Sequence, residues 1–558
     1  MALAASILDR LAASLASSHA ARMTRGFRAA LDQASATQDR LLAKLLRFAE
    51  PTEFGREHHF AKIRNYRDFT GNVPIRPYAE VAGYLDRVRE GRTNALFPAG
   101  TPIHMFALTS GTTATPKYIP ITPQALRDCR AGWNIWGLAA LLDHPQCILR
   151  HIVQVTSPMD DHRSAAGVPC GAITGLLAAT QKRLVRRYYT SPLAIAAIRD
   201  SRAKYYAIMR MAIPKDVAWM VTANPATLLA LARIGHEARD RIIRDIHDGT
   251  LDEALEIDAP VRSALRPVLK PDPLCARRLE KIVQSTGTLY PKDYWRLGFI
   301  AHWTGGTMGL YRSLFPKYFG DVPVRDIGLI ASEGRMSIPM EDDTAGGVLA
   351  VSSQFFEFIP AAEYGGDRPT ALRCHELSEG QDYFVVLTNA SGLFRYDLGD
   401  RVRVTGRRAP APVIEFLSRD AHTSSMAGEK LTEDQVVLAM REACAGRTTI
   451  IDFVVAPQWA ERPWYRVYVE RGAGDFAERF DAALCRISLE YESKRQSLRL
   501  GPVELVELPA GALSDRDRRL RAQRERTAEQ FKHQYLLAAP GRDADLAKLM
   551  RPLKSASA

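Results

Sequence analysis

Between residues 406 and 423 the hydrophobic pattern of this chain breaks off and then starts again. Before the break, residues 325–405 carry a succession of strand-like runs: IGLIAS, GGVLAVSS, FFEFIP, YFVVLTN and RVRVTG. At the break stand GRRAPAP, a Pro/Gly loop signal, and VIEFLSRDAHTSS, which runs into polar residues. After it come a helical pattern (432–444), two strand patterns (TIIDFVVAP and WYRVYVER), a helical stretch (475–495), the strand PVELVEL and an Arg-rich helix (515–531). That second series is complete enough for a small α+β domain of about a hundred residues. The chain therefore reads as two bodies, 1–417 and 418–558.

The first body is long enough to bury a large core without staples. Residues 1–50 show helical spacing, and RPYAEVAGYLDRVREG reads as a helix after a proline start. Residues 101–123 read as a short apolar run, a Gly/Ser/Thr loop and an extended Ile/Pro segment. Residues 124–300 are mostly helical patterns interrupted by CILRHIVQV and AWMVTAN. The expected class is α/β (α+β mixed), with a large N-terminal domain of sheets and helices hinged to a small α+β C-terminal domain.

Composition removes several functions. Apolar residues at 46 % and charged residues at 25 % exclude a wholly disordered, collagen-like or coiled-coil chain. Lys plus Arg (75) exceeds Asp plus Glu (63), giving +12. The positive side chains are scattered without aromatic interleaving, so neither nucleic acid nor a membrane is the expected partner. The seven cysteines form no C-x-x-C pair, and none has the setting of a nucleophile. This favours a reducing, cytoplasmic location without a disulfide framework. The 13 histidines form no zinc ligand set. Asp9 and Arg10 interrupt the first apolar run, so a signal peptide is not expected. The longest apolar runs, such as Ile135–Leu142, are too short to span a membrane.

The most informative segment is Thr109-Ser110-Gly111-Thr112-Thr113-Ala114-Thr115-Pro116-Lys117. Small hydroxyl side chains beside a glycine can present N–H and O–H donors to a polyphosphate, and Lys117 adds a point charge. It lacks the P-loop spacing. Taken alone it also fits an ordinary hydroxyl-rich turn between two strands. The nine residues together resemble the phosphate loop [ST]-[ST]-G-[ST]-T-x-x-P-K of the adenylate-forming superfamily, whose members join a carboxylic acid to AMP and then pass the acyl group to a nucleophile.

The resemblance implies further features, and the chain supplies candidates in order. Ser332-Glu333 follows the apolar run from Asp326, resembling the aromatic-x-x-[ST]-E motif, with Glu333 implied as the magnesium ligand. Leu329 stands where that motif has its adenine-stacking aromatic, a departure. A lone Glu is otherwise most often exposed in a turn. Tyr396-Asp397-Leu398-Gly399-Asp400 resembles Y-x-x-G-D, with Asp400 implied at the ribose; the bland alternative is a Gly-Asp hairpin turn. Ser418-Arg419-Asp420 resembles the G-R-x-D hinge with serine for glycine, and Met426–Lys430 matches the segment after it. Gln530-Phe531-Lys532 places a lysine beyond the last strand, implied to swing in and neutralise the α-phosphate, or else merely solvated on a basic helix.

Longer stretches resemble one branch of that superfamily, the auxin-responsive Gretchen Hagen family of acyl acid amido synthetases: Thr52–Arg56, Val73–Tyr78, Phe106–Thr122, Trp303–Met308 with Tyr311, Phe356–Pro360, Leu387–Tyr396 and Gln530–Lys532. His533, Gln534 and Tyr535 depart from that branch's x-P-R. The branch resemblance implies an enzyme that conjugates a carboxylic acid to an amino acid with ATP and Mg2+. The implied nucleotide contacts are Thr109, Ser110, Gly111, Thr112, Thr113, Lys117, Ser332, Glu333, Asp400 and Arg419; the implied catalytic groups are Glu333 and Lys532; the implied hinge is Arg419–Asp420. An acyl-CoA or acyl-carrier ligase, and a non-catalytic nucleotide-binding relative, are the competing readings. Trp133, Trp136, Met159 and Trp303, and the segment Gly167–Ala172, are candidates to line an acyl pocket, although each aromatic is equally a core residue. Nothing in these motifs specifies the acid, the amine or the oligomeric state.

Overall fold

A computed structural model describes residues 18, 21–22, 24–110, 116–419, 423–444, 452–470, 475–523 and 533–549. Two compact units are described in turn, a larger one from the described residues up to Thr109 and from Pro116 to Ser418, and a smaller one from the described residues from Arg419 onward, to which Ser110 is also assigned.

The larger unit contains a seven-stranded sheet in the spatial order Ser337–Ile338, Gly347–Leu349, Ala411–Arg419, Tyr396–Arg408, Asp382–Thr388, Phe355–Pro360, Leu372–Arg373. The strands Phe355–Pro360 and Asp382–Thr388 are antiparallel and buried on both faces, which is why FFEFIP and YFVVLT read as unbroken apolar runs. Tyr396–Arg408 instead alternates buried and less buried residues, the signature of one covered face. The helix Ala34–Ala49 docks on this sheet through Gln38. Its side-chain amide donates to the carbonyls of Val351 and Gln354, both at 2.6 Å, and accepts from the Phe356 N–H at 2.8 Å.

A second sheet is all-parallel: His151–Gln154, Val217–Val221, Phe299–His302 and Val324–Asp326. The helices Ser201–Ala212 and Pro225–Glu237 follow its connections, capped by Asp200 and Asn224. The strand Phe299–His302 was not expected from the helical patterning of 124–300. It is four residues long and wholly buried, so it has no period to reveal it. A third sheet pairs Met105–Ser110 in parallel with Pro169–Gly171, flanked by Pro116–Ile121 and His162–Arg163. The strand reading of 327–332 shrinks to Ile330–Ala331, half of a short hairpin with Gly334–Arg335.

The smaller unit has a three-stranded sheet, Phe453–Gln458, Trp464–Val469 and Glu504–Glu507. The first pair is antiparallel and the second parallel. Helices Glu433–Ala443, Phe476–Ile487, Leu489–Gln496 and Ala512–Gln523 complete it. The helical stretch 475–495 is two helices because Ser488 caps the second, its hydroxyl accepting from the Tyr491 N–H. In the segment Met426–Lys430, Glu429 is fully buried and accepts from the N–H groups of Met426 (2.6 Å) and Ala427 (2.7 Å) and from the Tyr465 hydroxyl. Gln530–Lys532 lies outside the described residues, but the chain directly after it is anchored. His533 pairs with Asp517 at 2.7 Å, and Tyr535 and Leu537 bracket Val455 with backbone hydrogen bonds of 2.8 and 2.9 Å.

All seven cysteines are free thiols. Among the described residues no helix is long and apolar enough to cross a membrane.

Candidate active site

The centre of the candidate site is the hairpin Ile330–Ala331/Gly334–Arg335, whose two-residue turn is Ser332–Glu333. Glu333 does not project into solvent as a turn carboxylate ordinarily does; it is 3 % exposed. Its carbonyl accepts from the Asn389 side chain at 2.7 Å, and Asn389 also donates to Gln354 at 3.1 Å. Gln354 donates onward to the Arg335 carbonyl at 2.8 Å. Gly334 is required here, because a Cβ would come within 2.3 Å of the Gln354 amide oxygen, and Gln354 is held by that network. Ser332 donates to the Leu108 carbonyl at 3.2 Å, tying the turn to the strand that leads into the Ser/Thr/Gly loop.

Lys117 and Glu333 meet through a residue that the motifs named only in passing. The Lys117 ammonium donates to the Tyr396 hydroxyl at 3.2 Å, and that hydroxyl donates to Glu333 Oε1 at 3.2 Å. Tyr396 is wholly buried. The Tyr78 ring lies against the same ammonium, 5.1 Å from its centroid, and the Tyr78 hydroxyl accepts from the Tyr118 N–H at 3.1 Å. Burial pushes the Tyr78 phenol up, and the Glu333 carboxylate adds to the shift. A cation, a carboxylate and two phenols thus converge in one largely dry place, where charge interactions are strong.

Asp400 is 6 % exposed and lies within the strand Tyr396–Arg408, not at a hairpin tip. The ladder slips around it: Val386 faces Asp397 and Phe384 faces Arg401, so Leu398–Asp400 stand opposite the single Val385. Gly399, at φ +73°, makes that bulge possible. Bulges re-aim side chains beside active sites, and this one falls at the residue implied for ribose. Thr109, Ser110 and Arg419 are placed as strand residues, but their side chains fall outside the description. Gly111, Thr112, Thr113, Asp420 and Lys532 lie outside the described residues altogether.

Behind the hairpin, Trp136 is 1 % exposed and donates to the Asp326 carbonyl at 2.8 Å, so it is core. Trp303 is half-buried and donates to the Gly328 carbonyl at 2.8 Å. Trp133 is half-buried, edge-on to Trp136 at 5.5 Å. Met159 and Leu329 pack against the main core as partly buried residues. The Arg335 side chain is buried against this group, its guanidinium 4.5 Å above the Trp133 ring, and burial pulls its pKa down to about 10.

Asp326 organises the loop that leads to the hairpin. Its carboxyl accepts from the Thr304 N–H, the Thr304 hydroxyl and the Gly328 N–H, all at 2.6 Å. Burial nevertheless raises its pKa to about 6. A raised carboxyl pKa means that between pH ~4 and ~6 the folded chain holds a proton that the unfolded chain has released. The stability from this group is full below pH ~4 and is lost as the pH rises through ~6. The stability advantage of the parent over Asp326→Asn should therefore narrow by roughly 2–3 kcal/mol between pH 4 and 7, read from denaturant midpoints. A constant difference would contradict the burial account.

Among the described residues no cluster of three or more His, Cys, Asp or Glu could hold a metal ion. Glu333 offers one hard oxygen donor, so it could help to hold a magnesium ion brought in on a nucleotide.

Residues 23–324 match the GH3 family N-terminal domain, 347–419 the GH3 family central domain and 434–540 the GH3 family C-terminal domain. An indole-3-acetic acid-amido synthetase, GH3.10 of Arabidopsis thaliana, is 23 % identical over 479 residues, covering 78 % of this chain and 80 % of that protein. The jasmonoyl–L-amino acid synthetase GH3.5 of Oryza sativa subsp. japonica is 23 % identical over 526 residues, covering 86 % and 89 %. The solved structure of the GH3.15 acyl acid amido synthetase superimposes with a TM-score of 0.64 at 21 % identity over 94 % of this chain and 95 % of that one, a likeness of fold. With the three domain models in order along its length, this chain belongs to the GH3 family, the Gretchen Hagen branch that its motifs resemble.

Proposed function

We propose that this protein activates a carboxylic acid with ATP and then transfers the acyl group to an amine, an amino acid, giving an amide, AMP and pyrophosphate. The observation that carries the reading is the hydrogen-bonded line from Lys117 through the buried Tyr396 to Glu333, in the turn that Ser332 ties to the strand leading into the hydroxyl-rich loop. A carboxylate is a poor electrophile; its oxygen must attack the α-phosphorus of ATP so that AMP becomes the leaving group. The task of the protein is to align three anionic groups and offset their charge. Lys117 supplies a cation, and Tyr396 and Glu333 fix where its ammonium sits. Thr109, Ser110, Gly111, Thr112 and Thr113 are proposed to cradle the phosphates with Lys117, and Ser332 to hold the turn. Asp400 and Arg419 are proposed at the ribose. Magnesium, proposed on Glu333, would offset phosphate charge.

In this reading residues 1–417 bind ATP and acid, and 418–558 form a mobile domain turning about Arg419–Asp420 to bring Lys532 to the α-phosphate. Seven free thiols fit a reducing, cytoplasmic setting. The names of the relatives, an indole-3-acetic acid-amido synthetase and a jasmonoyl–L-amino acid synthetase, support amide formation here. The test is the purified chain with ATP, magnesium and a panel of carboxylic acids, with and without amino acids. Acid-dependent pyrophosphate and an amide seen by mass spectrometry are expected. A thioester on adding CoA, with no amide, would overturn the choice of acceptor. Lys532→Ala should slow pyrophosphate release on the order of 100-fold, with a smaller loss in amide formation from preformed adenylate; equal losses would count against its role.

A further inference from the structure

Five arginines are buried among the described residues, and three of them invite comparison. Arg325 directs Nε to Asp342 at 2.6 Å and Nη2 to Asp143 at 2.5 Å. Arg395 directs Nε to both oxygens of Glu357 at 3.0 Å and Nη2 to Oε1 at 2.8 Å. In each, the Nε–Nη2 edge of the guanidinium, the fork that matches a carboxylate, is filled by one or two carboxylates. Arg335 differs. It is 2 % exposed, and its Nη1 donates to the carbonyls of Ile327 (2.8 Å) and Ser337 (3.2 Å), but Nε and Nη2 are buried with no hydrogen-bond partner among the described residues. Among the described residues no carboxylate lies within ion-pair distance: Asp326 attracts the charge from further off, and its oxygens are taken by Thr304 and Gly328. A buried cation with its fork unmatched is costly unless a ligand completes it.

The surroundings define what that ligand is. The arginine stem lies on Gly132, where a Cβ would come within 2.5 Å of its Cδ, and the guanidinium plane covers Trp133. Both belong to the helix Pro123–Asp143, which also places Cys129 near the charge. The guanidinium therefore has an aromatic ring on one face and an unmatched Nε–Nη2 edge. It sits two residues beyond Glu333 on the same hairpin, beside the place where the acid would be activated.

We infer that Arg335 is a specificity-determining residue that takes a second carboxylate of the acid substrate on its Nε–Nη2 edge, so that the enzyme selects dicarboxylic acids. The inference rests on the adenylation reading above and adds the substrate class. The carboxylate to be activated is a separate group at the far end of the same molecule.

The experiment compares linear and aromatic dicarboxylic acids with their mono-methyl esters, as substrates of the full chain and of Arg335→Met and Arg335→Lys. The parent should prefer diacid to half-ester in kcat/KM. Arg335→Met should lower that preference roughly 10- to 100-fold, through the KM of the diacid, and Arg335→Lys should restore it only in part. A purely structural role would depress both substrates alike and leave the ratio unmoved, which would overturn the inference. So would a rise confined to the KM of the amino acid. Binding gives an answer independent of turnover. A diacid should raise the melting temperature of the parent more than its half-ester does, and Arg335→Met should abolish that difference; equal shifts in parent and variant would overturn the inference. If no acid of either kind releases pyrophosphate yet this differential binding is seen, the adenylation reading fails and the carboxylate site stands.

Discussion

Glu333→Gln is expected to lower acid-dependent pyrophosphate release by a factor on the order of 10²–10³ while leaving the fold intact, the size of effect seen when one preorganised electrostatic contact is removed. The substitution keeps the shape of the side chain. Its amide oxygen can still accept from the Tyr396 hydroxyl, and the backbone hydrogen bond from Asn389 does not involve the side chain at all. What is lost is the negative charge, which has two uses in this account. It fixes the Lys117–Tyr396 pair from one side, and it offers the oxygen donor for a nucleotide-borne magnesium. Thermal unfolding should therefore be nearly unchanged while the first half-reaction collapses. A variant with parental pyrophosphate release would refute the role given to Glu333. A variant that is inactive because it is unfolded would refute the claim that the carboxylate is functional rather than structural.

Glu357→Ala should act in the opposite way, on stability first. Glu357 and Arg395 form a two-pronged ion pair with side-chain exposures of 1 % and 7 %. The carboxylate also accepts from the Tyr66 hydroxyl at 2.7 Å, and Arg395 donates to the Val73 carbonyl at 2.8 Å. Arg395 sits at φ +46°, a left-handed conformation that side-chain residues adopt only when their surroundings impose it. Removing Glu357 leaves a buried guanidinium without its partner, a loss of about 3–5 kcal/mol. The double substitution Glu357→Leu with Arg395→Met removes both charges and should recover much of that loss, because an apolar pair of similar volume carries no desolvation cost. Urea unfolding of the larger unit checks both. A single variant that loses less than about 1 kcal/mol would show that the pair contributes little. The consequence for activity is indirect: Arg395 immediately precedes Tyr396, so loosening the pair frees the phenol that joins Lys117 to Glu333.

Some of this was legible from residue order alone. The restart after residue 423 gave the helices and strands of the smaller unit nearly in place, because each element there has a clear period. The family resemblance rested on contiguous motifs, and the three domain models bear it out. What escaped notice depends on contacts far apart in the chain. Tyr396 stands inside a motif quoted for Asp400, yet its place as the link between residues 117 and 333 exists only once two strands and the Ser332–Glu333 turn are assembled. Asn389 and Gln354, which position the Glu333 turn, carry no local signal beyond being polar residues inside apolar runs. Arg335 stands in none of the quoted motifs, and its burial could not be read there, because burial is not written in a single charged residue. The strand Phe299–His302 was too short for any period to show. Trp136, read as either pocket or core, proves to be core because its indole N–H is already used by the Asp326 carbonyl.

The central claim is that the acid oxygen attacks phosphorus and leaves with AMP. Supplying an acid whose carboxylate is labelled with ¹⁸O on both oxygens tests it directly. The account predicts that, after amide formation, one labelled oxygen appears in AMP and the other in the amide carbonyl, with none in pyrophosphate. Label in inorganic phosphate together with ADP would mean attack on the γ-phosphorus, and would contradict the adenylation chemistry assigned to Lys117, Glu333 and Asp400.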